Sequence, residues 1–246
     1  MILPTLLYRL VVVSLALLTG CVATPQPIPV IDRPDLLVQI TYDPRSGSGH
    51  SHPVTITNGQ LIAALRGLQL QGRDVIGGLG LFSDGQRVSA FTERDALLLA
   101  PYLSTGLAKA SPHDMVTFHY VQLDSNRSPL VTSGGLFARG AHLYLILANG
   151  KSSPSGVQYE NAYEPNSRYE PLLPIARFKF TVGFIPSTVR IPTQDAKKLD
   201  NWDGYLDESK VVVLDLQRLQ SSADTSPPVP ARQPTTGLTP PSTPHR

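Results

Sequence analysis

Met115-Val-Thr-Phe-His-Tyr-Val-Gln-Leu123, then Leu130-Val-Thr-Ser-Gly-Gly-Leu-Phe-Ala138, then Ala141-His-Leu-Tyr-Leu-Ile-Leu-Ala148 follow one another in the middle of this 246-residue chain. Their reading decides the fold. After Ser111-Pro112 the apolar period becomes two, the spacing at which side chains alternate across a strand. A Ser-Asn-Arg-Ser-Pro loop joins the first two segments and Arg139-Gly140 the next two. The three predict an antiparallel meander, with Leu143, Leu145 and Leu147 on one face.

Downstream, Ile175 to Ile185 alternates most sharply, with Ala176, Phe178, Phe180, Val182 and Phe184 on one side and Arg177, Lys179 and Thr181 on the other. That pattern predicts a strand with one face in the core and one in water. Val211-Val-Val-Leu-Asp-Leu216 is expected to close the sheet. Upstream, Thr92 with Asp95 three residues later makes a cap, and Ala96, Leu99, Ala100, Leu103, Leu107 and Ala110 form one apolar helical face. Pro101 lies inside that helix and predicts a kink or a break into two short helices. Thr57-Asn-Gly-Gln60 has capping-box spacing, so Asn58 to Arg66 is a second helix, with Leu61, Ile62, Leu65 and Leu68 on its apolar side and Gly67 as a stop.

Leu36 to Tyr42 opens the domain as a strand, Val54 to Thr57 offers another, and Leu79-Gly-Leu-Phe82 with Arg87 to Phe91 flanks an Asp84-Gly85 hairpin turn. The fold expected is α+β: one domain over residues 36–220, a mostly antiparallel sheet with two or three helices packed on one face.

Proline marks the ends of that domain. Pro25, Pro27, Pro29 and Pro34 make residues 21–35 an extended tether, and seven prolines among residues 221–246 make the tail a Pro/Ser/Thr-rich segment expected to be disordered.

The first 20 residues carry one charge, Arg9, before the uncharged run Leu10-Val-Val-Val-Ser-Leu-Ala-Leu-Leu18. The order of basic start, short apolar stretch and small residues at a cut is that of a secretory signal, and the run is short of the about 20 apolar residues that cross a bilayer. Leu18-Thr19-Gly20-Cys21 resembles the lipobox of bacterial lipoproteins. The resemblance covers only this first tenth of the chain. It implies cleavage between Gly20 and Cys21, a diacylated Cys21 as first mature residue, and, with Val22 rather than Asp next, an outer-membrane protein facing the periplasm. Cys21 is the only cysteine in the sequence; a lone thiol in an exported chain is explained if it carries the lipid. Several acyl chains at about 0.8 kcal/mol per buried CH₂ hold a protein durably. No other cofactor is expected.

Loss of Arg9 takes the net charge from +2 to +1. A chain this close to neutral has no basic footprint for nucleic acid. Its expected partners are the membrane, through the anchor, and an envelope protein or cell-wall polymer.

Motifs with strict spacing are missing: no Gly-x-Ser-x-Gly, no His-Glu-x-x-His, no phosphate loop, no cysteine pair. Gly77-Gly-Leu-Gly80 lacks the third glycine of a dinucleotide fingerprint. His50 and His52, with Asp43 close in sequence, are the candidate metal ligands, but two imidazoles need further ligands in defined directions. Their Gly- and Ser-rich loop reads by default as solvated. His119 and His142 fall on strands expected to be neighbours. The long loop from Asn149 to Pro174 repeats a Tyr-Glu pair at Tyr159-Glu160, Tyr163-Glu164 and Tyr169-Glu170. Tyrosines beside carboxylates suit a sugar or a basic peptide; the plainer reading has them pin the loop to the sheet with the glutamates in water. Asn201-Trp-Asp-Gly-Tyr205 joins that surface or turns inward. Three functions stay open: a non-catalytic binding or scaffolding domain, an envelope hydrolase or metal enzyme, and a carrier of an apolar ligand under the Phe178, Phe180 and Phe184 face.

Overall fold

The computed structural model describes residues 25–72, 87–153, 168–175, 180–200 and 207–224. Its main sheet is antiparallel throughout, in the spatial order β1 (Ile28–Arg33), β2 (Leu36–Tyr42), β5 (Asp114–Leu123), β6 (Pro129–Arg139), β7 (His142–Ser152), β10 (Val211–Asp215) and β9 (Arg190–Ile191). A second sheet joins β4 (Arg87–Ser89), β3 (Leu68–Gly72) and β8 (Phe180–Phe184). The α+β class and the central meander are as the sequence implies.

Alternation divides the main sheet into two faces. Leu36, Val38, Ile40, Val116, Phe118, Leu136, Leu143, Leu145, Leu147, Val212 and Leu214 point to a first face, where the large core lies. Three helices cover it: α1 (Asn58–Gly67), α2 (Glu93–Lys109) and α4 (Leu216–Asp224), of which α1 packs against both others. The second face holds Met115, Phe137, Tyr144, Ile146, Val211 and Val213 in a smaller core, closed by Ala196 of the short helix α3 (Thr193–Asp200).

Both capping boxes form. Thr57 and Gln60 satisfy each other's backbone donors at the start of α1, and Thr92 and Asp95 do the same for α2. The buried stripe of α2 is the one its spacing indicates. Pro101 does not break α2 into two helices. The hydrogen bond it cannot make would have gone to Leu97, and both residues lie on the exposed side, so the lost bond falls where solvent has access while Leu99, Leu103 and Leu107 hold the buried side across the proline.

Several expectations are corrected. The sheet starts earlier than Leu36: Ile28–Arg33, in the stretch read as tether, pairs with β2 through a bulge between Pro29 and Ile31. Proline is tolerated there because the strand is at the edge. Val54–Thr57 is not a strand; Val54 N donates to Leu107 O and Ser104 Oγ to Ile56 O, which bind the segment to α2 instead. Leu68 does not end α1 but begins β3, which pairs with β4 and β8. The alternating segment before Ile185 therefore belongs to the small sheet, with Phe180, Val182 and Phe184 buried in the large core. Val211–Asp215 does not close the main sheet, since β9 pairs on its far side and forms the edge. Helix α4 runs to Asp224, into the first four positions read as tail. Residues 1–24, the expected strand Leu79–Phe82, Gly77 to Gly80, residues 176–179 and the tail beyond 224 lie outside the described residues. Among the described residues no helix is long and apolar enough to cross a membrane.

Candidate functional site

The second face of the main sheet gathers most of the polar chemistry, under three coverings: the loop after β2, the segment 168–175, and α3. The loop after β2 is not the solvated loop its composition indicates. Asp43 Oδ1 accepts from Arg45 N, Ser46 N donates to Asp43 O, and Gly47 and Gly49 take positive φ values of 59° and 99°. Here glycine supplies left-handed turns, not mobility. Outside anchors fix the coil: His50 N donates to Pro112 O, Ser51 N to Ala138 O, and the Arg139 guanidinium reaches Ser46 O and Ser48 Oγ.

This folding brings together Asp43, His50 and His52, as a metal or catalytic site would require, but buries them. His50 Nε2 and Asp43 Oδ2 are 2.8 Å apart with both side chains 0% exposed. The His50 ring stacks on Phe137, and His52 meets it edge-on at 5.8 Å between centroids. His52 Nδ1 faces Leu107 O and its Nε2 accepts from Ala138 N, each at 3.4 Å. This pattern fits a neutral imidazole, and burial pushes the His52 imidazole down to about 4. Three of the four ring nitrogens are thus engaged; His50 Nδ1 is buried with no hydrogen-bond partner among the described residues. Among the described residues no three His, Cys, Asp or Glu side chains are grouped to hold a metal ion.

A second histidine–carboxylate pair lies on the other side of Phe137. That ring stacks on Tyr144 with planes 7° apart; the Tyr144 hydroxyl donates to Asp200 Oδ2, which also meets His142 Nδ1 at 2.7 Å. This pair is less closed than the first, with side chains 12% and 7% exposed for His142 and Asp200. Burial, then the Asp200 carboxylate, raises the Tyr144 phenol well above its ordinary range. Sequence spacing gave no sign of the pair, because Asp200 and His142 are 58 positions apart.

His119 and His142 do not meet. Strand β6 lies between their strands, and His119 pairs with Ser133 and Leu37 whereas His142 pairs with Arg139 and Asp215. His119 is buried, its Nε2 has no partner among the described residues, and burial, then the charge of Arg168, pushes it down to about 4.

Of the three Tyr-Glu pairs, Tyr159-Glu160 and Tyr163-Glu164 lie outside the described residues, as does Asn201 to Tyr205. Tyr169 and Glu170 belong to a strap that crosses the sheet from β1 to β7. Arg168 Nη2 donates to Asp32 Oδ1 and Arg33 O, Gln39 Nε2 to Tyr169 O, Ser133 Oγ to Pro171 O, and Asn149 Nδ2 to Leu173 O. Leu172 packs into the smaller core. The backbone is pinned while the Tyr169 ring stays 46% exposed, its hydroxyl 3.3 Å from Asp32 Oδ2, and Glu170 is exposed. The residues that anchor the strap, Gln39, Ser133 and Asn149, were not indicated by sequence; a polar residue on a buried strand face was the available signal.

No protein-family model, no curated protein and no solved structure matches this chain.

Proposed function

We propose that this protein is a cell-envelope lipoprotein, held by acyl chains on Cys21 at the outer membrane facing the periplasm, whose α+β domain binds or scaffolds an envelope protein or cell-wall polymer without catalysis. The observation that supports the non-catalytic reading is the closure of the Asp43–His50 pair: a dyad with 0% exposed side chains has no face to offer a substrate. The polar groups of the second face hold the loop after β2, the strap and α3 in place. What they carry outward is the strap, with Tyr169 and Glu170 at the surface.

The experiment has two arms. Palmitate labelling of the wild type beside Cys21→Ser tests the anchor, and equal labelling of both removes it. Capture of envelope components by the wild type beside the triple variant Tyr159→Ala, Tyr163→Ala and Tyr169→Ala tests the binding loop, and unchanged capture removes it.

An envelope hydrolase is the second reading, favoured by the partly open His142–Asp200 pair, in which a carboxylate orients an imidazole as in a general base. Ester turnover by the wild type that is lost in His142→Ala would promote it. A carrier of an apolar ligand has no such support: a Cβ on Gly67 would overlap the Phe184 ring and one on Gly150 would lie 3.2 Å from Phe180, so both rings are closely packed.

A further inference from the structure

We propose that the cleft beside β9, between the start of α3 and the turn leading into β10, binds a short zwitterionic peptide, its carboxylate on Arg190 and its ammonium on Asp195. Such binding needs neither the lipid on Cys21 nor the strap. The cleft has a volume of about 600 Å³, and Ser187, Arg190, Gln194, Asp195, Glu208 and Ser209 are among the residues that line it. That volume falls in the range of about 300–1,000 Å³ that small-ligand sites occupy. Register turns Arg190 toward it. On β9, Ile191 pairs with Val213 and packs into the smaller core, so Arg190, paired with Leu214, points to the opposite face. The guanidinium is half-buried, and among the described residues it has no ion-pair or hydrogen-bond partner. Its Nε is buried in that unpaired state, whereas its terminal nitrogens are open to the cleft. A desolvated, unpartnered donor group costs stability, and a ligand that accepts from the guanidinium offsets that cost. Neighbouring cations are engaged: Lys197 Nζ holds Glu208 Oε1 at 2.5 Å, Arg218 pairs with Asp215 and donates to Thr188 O, and Lys210 Nζ lies over the Phe180 ring.

A planar guanidinium takes a carboxylate or a phosphate side by side through two N–H groups. The acidic residues of the cleft choose between them. With Glu208 held by Lys197, the lining is left with one unpaired positive group, Arg190, and one unpaired negative group, Asp195, exposed in the first turn of α3. A phosphate carries about −1.5 to −2 charges, more than Arg190 alone balances, and it would be repelled by Asp195 and Glu208. A carboxylate brings a single charge, and an ammonium on the same molecule suits Asp195. Arg190 and Asp195 line one cleft without pairing with each other, so the space between them is open to the two ends of one ligand. Ser187, Gln194 and Ser209 add uncharged donors and acceptors, the partners that peptide amides take, and the volume leaves room for more than one residue.

The test is a calorimetric titration of tri-alanine into the full-length protein in detergent micelles. Saturable binding at millimolar peptide or below is expected, and its absence overturns the proposal. Tri-alanine amidated at its C-terminus, or acetylated at its N-terminus, is expected to bind about tenfold more weakly. Undiminished affinity for the amide overturns the carboxylate contact, and undiminished affinity for the acetylated peptide overturns the ammonium contact. Arg190→Gln is expected to lose the same factor toward free tri-alanine and nothing further toward the amide, and Asp195→Asn to lose it toward free tri-alanine and nothing further toward the acetylated peptide. Equal losses toward all three peptides would place the effect outside those two contacts and overturn the assignment. Because the Arg190 side chain has no protein partner to lose, Arg190→Gln is expected to keep the melting temperature of the wild type. Inorganic phosphate that binds more tightly than tri-alanine overturns the choice of a peptide.

Discussion

The imidazole of His50 lies on the ring of Phe137, centroids 4.1 Å apart, and Phe137 stacks in turn on Tyr144. One phenyl ring thus separates two histidine–carboxylate pairs, Asp43–His50 and Asp200–His142. The stack joins the loop after β2 to α3 across the second face of the sheet, and it makes the stability of this face depend on partners distant in sequence.

Removing Asp43 tests that dependence. Asp43→Ala leaves a buried imidazole without its acceptor, which costs about 1–3 kcal/mol. With His50→Leu added there is no polar group left to strand, so the double variant is expected to lose less than the sum of the singles. Urea midpoints read both values. Additive losses would show that the pairing is not what holds the loop.

Acid is expected to unfold the domain through His52 and His119, both pushed down to about 4 by burial. An unfolded histidine titrates near 6.5. Between the two values the unfolded chain binds more protons than the native one, so stability rises with pH there. The contribution is complete above about pH 6.5 and lost as pH falls through about 4. The melting temperature followed from pH 7.5 to 3.5 should fall across that window, less steeply in His119→Gln. A level profile in both proteins would contradict neutral burial of these rings.

Asp95 is asked for more than a helix cap. It accepts from Thr92 N and Thr92 Oγ1, from the Tyr120 hydroxyl at 2.8 Å and from Gln122 Nε2 at 2.5 Å, tying α2 to β5. Thr92→Ala should cost about 1 kcal/mol, as caps do. Asp95→Ala should cost roughly 1–3 kcal/mol more, because it strands the buried Tyr120 hydroxyl and the half-buried Gln122 amide on β5. Equal losses in denaturant melts would reduce Asp95 to its capping role.

Two glycines should respond in opposite directions to alanine. A Cβ at Gly134, in the irregular β6–β7 register, would fall on the Ile146 carbonyl oxygen, which is backbone and cannot swing away. Gly134→Ala should therefore cost about 1–3 kcal/mol or more. At Gly59, inside α1, the nearest atom to an added Cβ is Thr57 Oγ1 at 3.9 Å, so Gly59→Ala should add roughly 0.5–1 kcal/mol. Thermal melts of the two variants check both signs.

Local pattern carried the sequence a long way. Thr57-x-x-Gln60 and Thr92-x-x-Asp95 start helices because a cap needs only four residues, and the β5–β6–β7 meander follows from period-two segments on short connections. The stripe Ala96, Leu99, Ala100, Leu103, Leu107 lies on the core for the same reason: helical periodicity is a property of the segment itself. The four-residue pattern ending in Cys21 is legible on the same terms, as an expectation about address.

Tertiary structure decided what depends on distant partners. The Gly and Ser content of the loop after β2 reads as mobility, yet contacts from Pro112, Ala138 and Arg139 turn the same residues into a closed coil over His50. The Phe180 strand has a legible alternation, but its partner is Leu68–Gly72, more than 100 positions earlier, in a separate sheet. Asp200 joins Tyr144 and His142 because α3 docks on the second face, and no spacing within α3 announces it. Alternation states which side chains of a strand share a face; only packing in three dimensions states what covers that face, and here the cover converts histidines that resemble ligands into buried struts.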